Sequence, residues 1–295
     1  MKSKNLGILF VLIAGTLWGT MGVFVNFFTS TGLKSVDIAG IRLIFATFIM
    51  AVYILIKDPR LFKIKLRDLW CFLGSGLVSL MIFTVCYFET IVRSSMSVAA
   101  VLLYTSPVFV IIFSFFIFKE KITVSKVFSC IVCVVGCTFV TGIVGSDTKI
   151  SLVALLLGIA SGVSYALYSI FSRFALQRGY SSMTITVYTF IFASIGLSFF
   201  TDFGILCDTV SKKPTLSIIM LLTGLVTAVL PYVFYTKGLE RLESGKAAVI
   251  AAIEPVIATV IGGVFFSDNL SLLQYFGIAL VIFSIVLTNI TTKKN

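Results

Sequence analysis

Two charged residues interrupt long apolar runs of this chain, Arg42 in IAGIRLIFATFIM and Glu254 in AAIEPVIATV. Arginine presents a forked, permanently charged donor suited to a carboxylate or phosphate. A glutamate in the same surroundings can hold an amine or carry a proton, since charge interactions strengthen where water is excluded. Both also have structural readings. Glu254 would serve helix packing beside Pro255, and Arg42 would cap nearby carbonyls or snorkel to the interface.

Pro107 and Pro255 each remove a backbone N–H inside an apolar run and free the carbonyl four residues earlier, of Leu103 and Ala251. Freed groups of this kind persist where protein buries them, where they line a cavity, or where a neighbour re-satisfies them across a plain kink. Trp18, Tyr104, Tyr165 and Tyr168 lie in the same kind of run. They can stack on an organic ligand or take its cation, and core packing accounts for them as well. Ser161, Ser164, Tyr165, Tyr168 and Ser172 recur at spacings of three and four, one helical face, which reads as a water-contacting wall or as hydrogen-bonded packing. The sequence has no His. Cys130, Cys133 and Cys137 also share a face, but without His or nearby carboxylates they read as helix packing, so no metal or cofactor is expected. Any proton coupling must then use carboxylates.

Composition dictates the elements that hold these groups. The chain is 59% hydrophobic and 12% charged, which is a membrane composition. Apolar runs able to cross a ~30 Å hydrocarbon layer, which takes ~20 helical residues, recur ten times, at about 6–28, 36–56, 69–88, 96–118, 124–142, 151–174, 182–201, 215–237, 246–266 and 270–290. A β-barrel would show short alternating segments instead. The linkers, such as 57–68 and 201–215, leave no room for a soluble domain, and the first run continues through Phe28 without a cleavage site, so it reads as an uncleaved helix. With the N-terminus inside, 17 Lys and Arg fall in inner segments and 5 in outer ones, which places both termini of a multi-pass cell-membrane protein in the cytoplasm. The net charge of +11 is therefore a topology signal with anionic lipid as a contact, and it does not indicate nucleic-acid binding.

The chain is also duplicated. A shift of 147 aligns Gly15 with Gly162, Trp18 with Tyr165, Phe24 with Phe171 and Phe45 with Phe192. A shift of 148 aligns Tyr87 with Tyr235, Arg93 with Arg241, Pro107 with Pro255 and Glu120 with Asp268. Residues 1–295 thus read as one transmembrane domain of two repeats, about 1–145 and 146–295. Five helices is an odd number, so the second copy enters from the opposite side. The fold class is all-α, ten transmembrane helices as two inverted five-helix repeats, an arrangement that lets a central site face either side by rocking.

GTLWGTMGVFV, IAGIRLIFATFIM, SVAAVLLYTSPVFVIIFSFFIFKEKIT and GKAAVIAAIEPVIATVIGGVFFSDNLS resemble the EamA-type exporters of the drug/metabolite transporter superfamily, over essentially all ten helices. The duplicated proline-to-acid spacing carries most of the likeness, with Asp268 standing where a glutamate is usual. The resemblance implies a carrier of small organic solutes, often outward.

Glu254 lies about eight residues from the inner end of its helix and Arg42 about six from the outer end of its own, leaving on the order of 9 Å between their depths. They either pair directly or hold a small zwitterion. The reading is a secondary exporter of amino acids or organic amines, working by alternating access, with proton coupling through Glu254 left open. No P-loop exists to hold ATP. The alternative within the superfamily is a nucleotide-sugar or phosphate-ester exchanger, which would line its cavity with several cations. An intramembrane enzyme lacks a second buried carboxylate or a His, and a channel does not need duplicated broken helices.

Overall fold

An apolar run has no solvent to satisfy its backbone and must close its hydrogen bonds as helix. Every apolar run of this chain is helical in the computed structural model, which describes residues 2–144, 150–212, 214–266 and 269–290. Asp268 and the orientation lysines Lys149, Lys213, Lys293 and Lys294 lie outside the described residues. The helices in order are α1 Lys2–Gly19, α2 Met21–Thr29, α3 Ser35–Lys57, α4 Leu66–Arg93, α5 Met96–Leu103, α6 Ser106–Phe118, α7 Val124–Val140, α8 Leu152–Gln177, α9 Ser182–Ser198, α10 Phe203–Lys212, α11 Leu216–Leu239, α12 Ser244–Ala251, α13 Ile253–Phe265 and α14 Leu272–Ile290.

Among the described residues, eight segments are long and apolar enough to cross a membrane, counting α1–α2, α5–α6 and α12–α13 as one each. The other two runs are shorter. α7 has 17 residues, and α9, also 17, turns by 101° into α10. Seventeen residues reach about 26 Å, slightly less than the ~30 Å core. The segment 201–215, which reads from its charges as a linker, therefore carries a helix, braced by the Asp208–Lys212 ion pair one turn apart.

Several spans are jointed, each for a local reason. At Thr20 the side-chain hydroxyl donates to the Leu17 carbonyl at 2.7 Å, and α1 gives way to α2. The run holding Pro107 breaks at Tyr104–Thr105, and the run holding Pro255 breaks at Ala252. α4 and α11 both widen into π-helix, over Gly74–Met81 and Leu225–Val229. Leu77–Met81 matches Leu225–Val229 under the 148-residue shift, so the wide turn belongs to both copies. Pro231 follows only the second, and its counterpart Phe83 shows that the proline is not required.

Packing repeats with the halves exchanged. A methyl group on Gly76 of α4 would lie 2.8 Å from the Thr189 carbonyl oxygen and 2.6 Å from Phe192 Cβ on α9. One on Gly224 of α11 would lie 3.1 Å from the Arg42 carbonyl oxygen and from Phe45 Cβ on α3. Thr189 and Phe192 are the counterparts of Arg42 and Phe45. Likewise Gly15 of α1 abuts the Ala251 carbonyl, and Gly162 of α8 abuts the Leu102 carbonyl; an added methyl would sit at 2.9 and 2.8 Å from those oxygens. The small residues thus let the first helix of each copy press on the broken helix of the other. Two counterpart pairs touch each other: Thr47 and Ser194, hydroxyl to hydroxyl at 3.0 Å, and Trp18 and Tyr165, ring centroids 6.3 Å apart.

The basic loops gather at one end of the bundle. Arg178 pairs with Asp68 at 3.0 Å, Arg173 with Glu120 at 3.4 Å and Lys126 with Glu243 at 2.7 Å, while Gly7 packs on Arg241 and Leu242.

Candidate functional site

Glu254 occupies the first turn of α13, just past the break at Ala252 and one residue before Pro255. It sits mid-way along an apolar span yet keeps part of its surface exposed, as do Tyr87, Tyr104 and Tyr165. The Glu254 carboxyl lies within electrostatic reach of all three phenols and of Arg42. Four partly exposed groups from α4, the α5–α6 break, α8 and α13 are therefore brought near one another, as a candidate gap between helices. A lipid-facing surface is excluded by the cost of holding a carboxyl against hydrocarbon.

The second layer is aromatic and closed. Trp18 is buried and packs on Tyr232 and Tyr235 at ring-centroid distances of 5.2 and 5.4 Å. Tyr168 is buried against the same two rings, at 5.0 and 6.1 Å, and its hydroxyl bonds Thr236 Oγ1 at 2.8 Å. Ser169 bonds the Tyr235 hydroxyl at 2.7 Å, and Phe83 packs on Tyr165 at 5.2 Å. The hydroxyl-bearing face of α8 thus divides. Tyr165 faces the gap, whereas Tyr168 is part of the packing behind it, and Ser161 donates to the Gly158 carbonyl of its own helix.

Arg42 approaches from α3. It is 8% exposed, its Nη1 donates to Met21 Sδ at 3.3 Å, and its Nε has no partner. No described carboxylate lies within 4.0 Å of it, so Arg42 and Glu254 feel each other without forming an ion pair. Of the two arrangements open in the sequence, direct pairing is not the one seen. A narrow void beside the guanidinium is lined by Phe28, Ile38, Ile41, Met220 and Thr223.

Pro107 and Pro255 fall in the first turns of α6 and α13, where a missing N–H costs no helix bond. They mark the two breaks rather than kinking continuous helices. The freed carbonyls stay inside the protein, against Gly162 and Gly15. The three cysteines of α7 are buried and unpaired by disulfides, and no described group of His, Cys, Asp or Glu is arranged to hold a metal.

Tyr87, Tyr232 and Tyr235 were not legible as site residues. Their one sequence signal is that Tyr87 and Tyr235 align under the 148-residue shift, and the copies use them differently, one at the gap and one behind it.

The chain resembles known proteins along nearly all its length. It is 25% identical to an uncharacterized transporter, YxxF, of Bacillus subtilis (strain 168), over 97% of this chain and 90% of that one. It is 24% identical to an uncharacterized inner membrane transporter, YicL, of Salmonella typhimurium (strain LT2), over 100% of this chain and 98% of that one. A solved crystal structure of a protein 15% identical in sequence superposes with a TM-score of 0.78 over 98% of each chain, which shows a shared fold. The EamA-like transporter family matches twice, over residues 5–142 and 152–290. With two copies of that unit side by side, the chain belongs to the EamA-like transporter family and is a multi-pass membrane transporter.

Proposed function

We propose that residues 1–295 form one transmembrane domain that exports small amphipathic metabolites, amino acids or organic amines, by alternating access. Ten membrane passes arranged as two inverted five-helix repeats, about 1–145 and 146–295, supply the two halves that rock. Similar glycine contacts with the halves exchanged support this reading, since the seam is then built much alike on both sides of the site. Clustering of the basic loops at one end supports cytoplasmic termini.

The observation that carries the proposal is Glu254, a partly exposed carboxyl at a helix break, ringed by Tyr87, Tyr104 and Tyr165 and facing the unpaired Arg42. Such a site takes an ammonium at Glu254, an apolar body along the aromatic wall of Tyr104 and Tyr165, which Trp18 backs from behind, and an anionic end toward Arg42. Glu254 is also the carboxyl through which a proton would be exchanged for substrate. Among described residues Arg42 is the one buried cation of the central region, Lys126 belonging to the basic end, which disfavours a phosphate-ester or nucleotide-sugar exchanger.

Purified protein screened by thermal shift against amino acids, amines and nucleosides identifies the ligand, because a ligand bound only by the folded state raises the melting temperature. Flux into vesicles then tests the site: Glu254→Gln, which loses the charge, and Arg42→Lys, which keeps it but loses the guanidinium fork, are each expected to cut transport at least ~10-fold, equivalent to about 1.4 kcal/mol. Normal transport by both variants would overturn the assignment.

A further inference from the structure

The two ends of the bundle are built differently. At the basic end, Arg173 of α8 donates from Nη1 to the Leu239 carbonyl at 2.7 Å and from Nη2 to the Leu242 carbonyl at 2.6 Å, and pairs with Glu120 at 3.4 Å. Glu120 in turn accepts from the backbone N–H of Ser244, the first residue of α12, at 3.0 Å. Both side chains are largely buried, with 17% and 11% of their surface exposed. The cluster joins the end of α6, in the first copy, to the end of α8 and the α11–α12 turn, in the second. Beside it Lys126 bridges Glu243 at 2.7 Å and the Lys121 carbonyl at 2.7 Å.

At the other end the counterpart of Arg173 is Asn26 of α2, which carries no charge. Gly22, Val23, Asn26, Phe27 and Thr29 of α2 are exposed, and nothing lies within 4 Å of a methyl placed on Gly22. Tyr168 to Leu176, which match Met21 to Thr29, include no exposed residue. One face of α2 is therefore exposed, with Phe28 buried on the other against α3 and α11, while the matching half of α8 is packed in all round.

We propose that Arg173 and Glu120 are the gate residues of the transport cycle. They hold the basic end shut in this conformation, and their separation is the step that exposes the site to that side. This rests on the alternating-access reading above. An ion pair inside a four-bond cluster suits a gate. It is strong enough to populate one state yet breakable as a unit, because Arg173 holds the turn only through main-chain carbonyls.

The test uses full-length protein in nanodiscs with Cys86 and Cys207 replaced by serine, and spin labels at Lys121→Cys and Glu240→Cys across the basic end. A second pair, Ser30→Cys and Phe199→Cys, reports the other end. Unaltered at the gate, the first pair is expected to give one short distance. In Glu120→Gln and in Arg173→Met a longer distance appears, with the open-to-closed ratio raised roughly tenfold or more, and the double variant adds little beyond either single one. If both folded variants keep the unaltered distribution, or the unaltered protein already divides equally between both distances, the gate assignment is overturned. If the basic end opens while the second pair does not shorten, the gate stands and alternating access fails.

Discussion

Arg42→Met separates a functional arginine from a structural one by the sign of its effect on stability. Arg42 is 8% exposed as a residue, and its guanidinium contacts Met21 Sδ at 3.3 Å, leaves Nε unpartnered and has no described carboxylate within 4.0 Å. A charge at the membrane centre costs ~2.5–3.5 kcal/mol by insertion scales. Replacing buried charge by an apolar side chain of similar volume often stabilises by about 1–4 kcal/mol, whereas removing one partner of a satisfied pair costs about 3–5. Arg42 lies short of the centre and makes one weak bond, so Arg42→Met is expected to raise stability by ~1–3 kcal/mol while lowering transport. Arg173→Met is the contrast. It removes two charge-assisted bonds to carbonyls and the pair with Glu120, and is expected to cost ~2–4 kcal/mol. Equilibrium unfolding in mixed micelles of rising sodium dodecyl sulfate fraction measures both. A loss in Arg42→Met as large as that in Arg173→Met would refute the reasoning and make Arg42 a structural residue.

The seam between the copies gives a second prediction. Gly15→Ala and Gly162→Ala drive a methyl to 2.9 and 2.8 Å from carbonyl oxygens and are expected to destabilise by ~1–3 kcal/mol, whereas Gly22→Ala meets nothing and should be neutral or stabilise by up to about 1 kcal/mol; thermal melting that fails to rank them so rejects the close seam. A third concerns pH. Burial pushes the Glu243 carboxyl up, but the hydrogen bond and charge of Lys126, with Lys246 and Lys4 nearby, outweigh it and hold it below its ordinary 4.5. A depressed folded-state value means the pair stabilises at pH above 4.5 and loses that contribution as pH falls through the folded value; melting temperature against pH in wild type and Lys126→Met should converge in that acid range and separate above it.

The helices and the duplication were legible because both are written in side-chain hydropathy and in small residues at fixed offsets. Glu254 and Arg42 were legible because a charge in an apolar run has few innocent explanations. The joints were less so. Proline marked two of them, but the break at Thr20 has no proline or glycine at that position to announce it, and the π-turns of α4 and α11 carry no residue signature. α10 was hidden because its apolar residues are interleaved with Asp208 and Lys212 and read as a linker. Tyr87 and Tyr232 were hidden for another reason: whether a phenol lines a gap or fills a core is decided by the neighbouring helix, which no local pattern reports.

The positions where the copies agree and those where they differ have different chemistry. Agreement falls on close packing: Gly15 and Gly162 against carbonyls, Gly76 and Gly224 against the facing helix, and the Thr47 hydroxyl bonded to that of Ser194. Contacts that are alike with the halves exchanged contribute alike to either tilt of the bundle, so by themselves they leave two conformations nearly equal in energy. Difference falls on three charges, although Glu120 with Asp268 and Arg93 with Arg241 keep theirs. Glu254 corresponds to Ser106 across the repeat, Arg42 to Thr189 and Arg173 to Asn26. Each charged member sits where a neutral counterpart leaves the balance broken, the first two at the site and the third at one end. On the proposed function, a ligand that satisfies Glu254 and Arg42, and a gate that holds Arg173, would therefore act on an equilibrium the scaffold leaves poised. An interaction of only a few kcal/mol is enough to move such a pair of states from one side to the other.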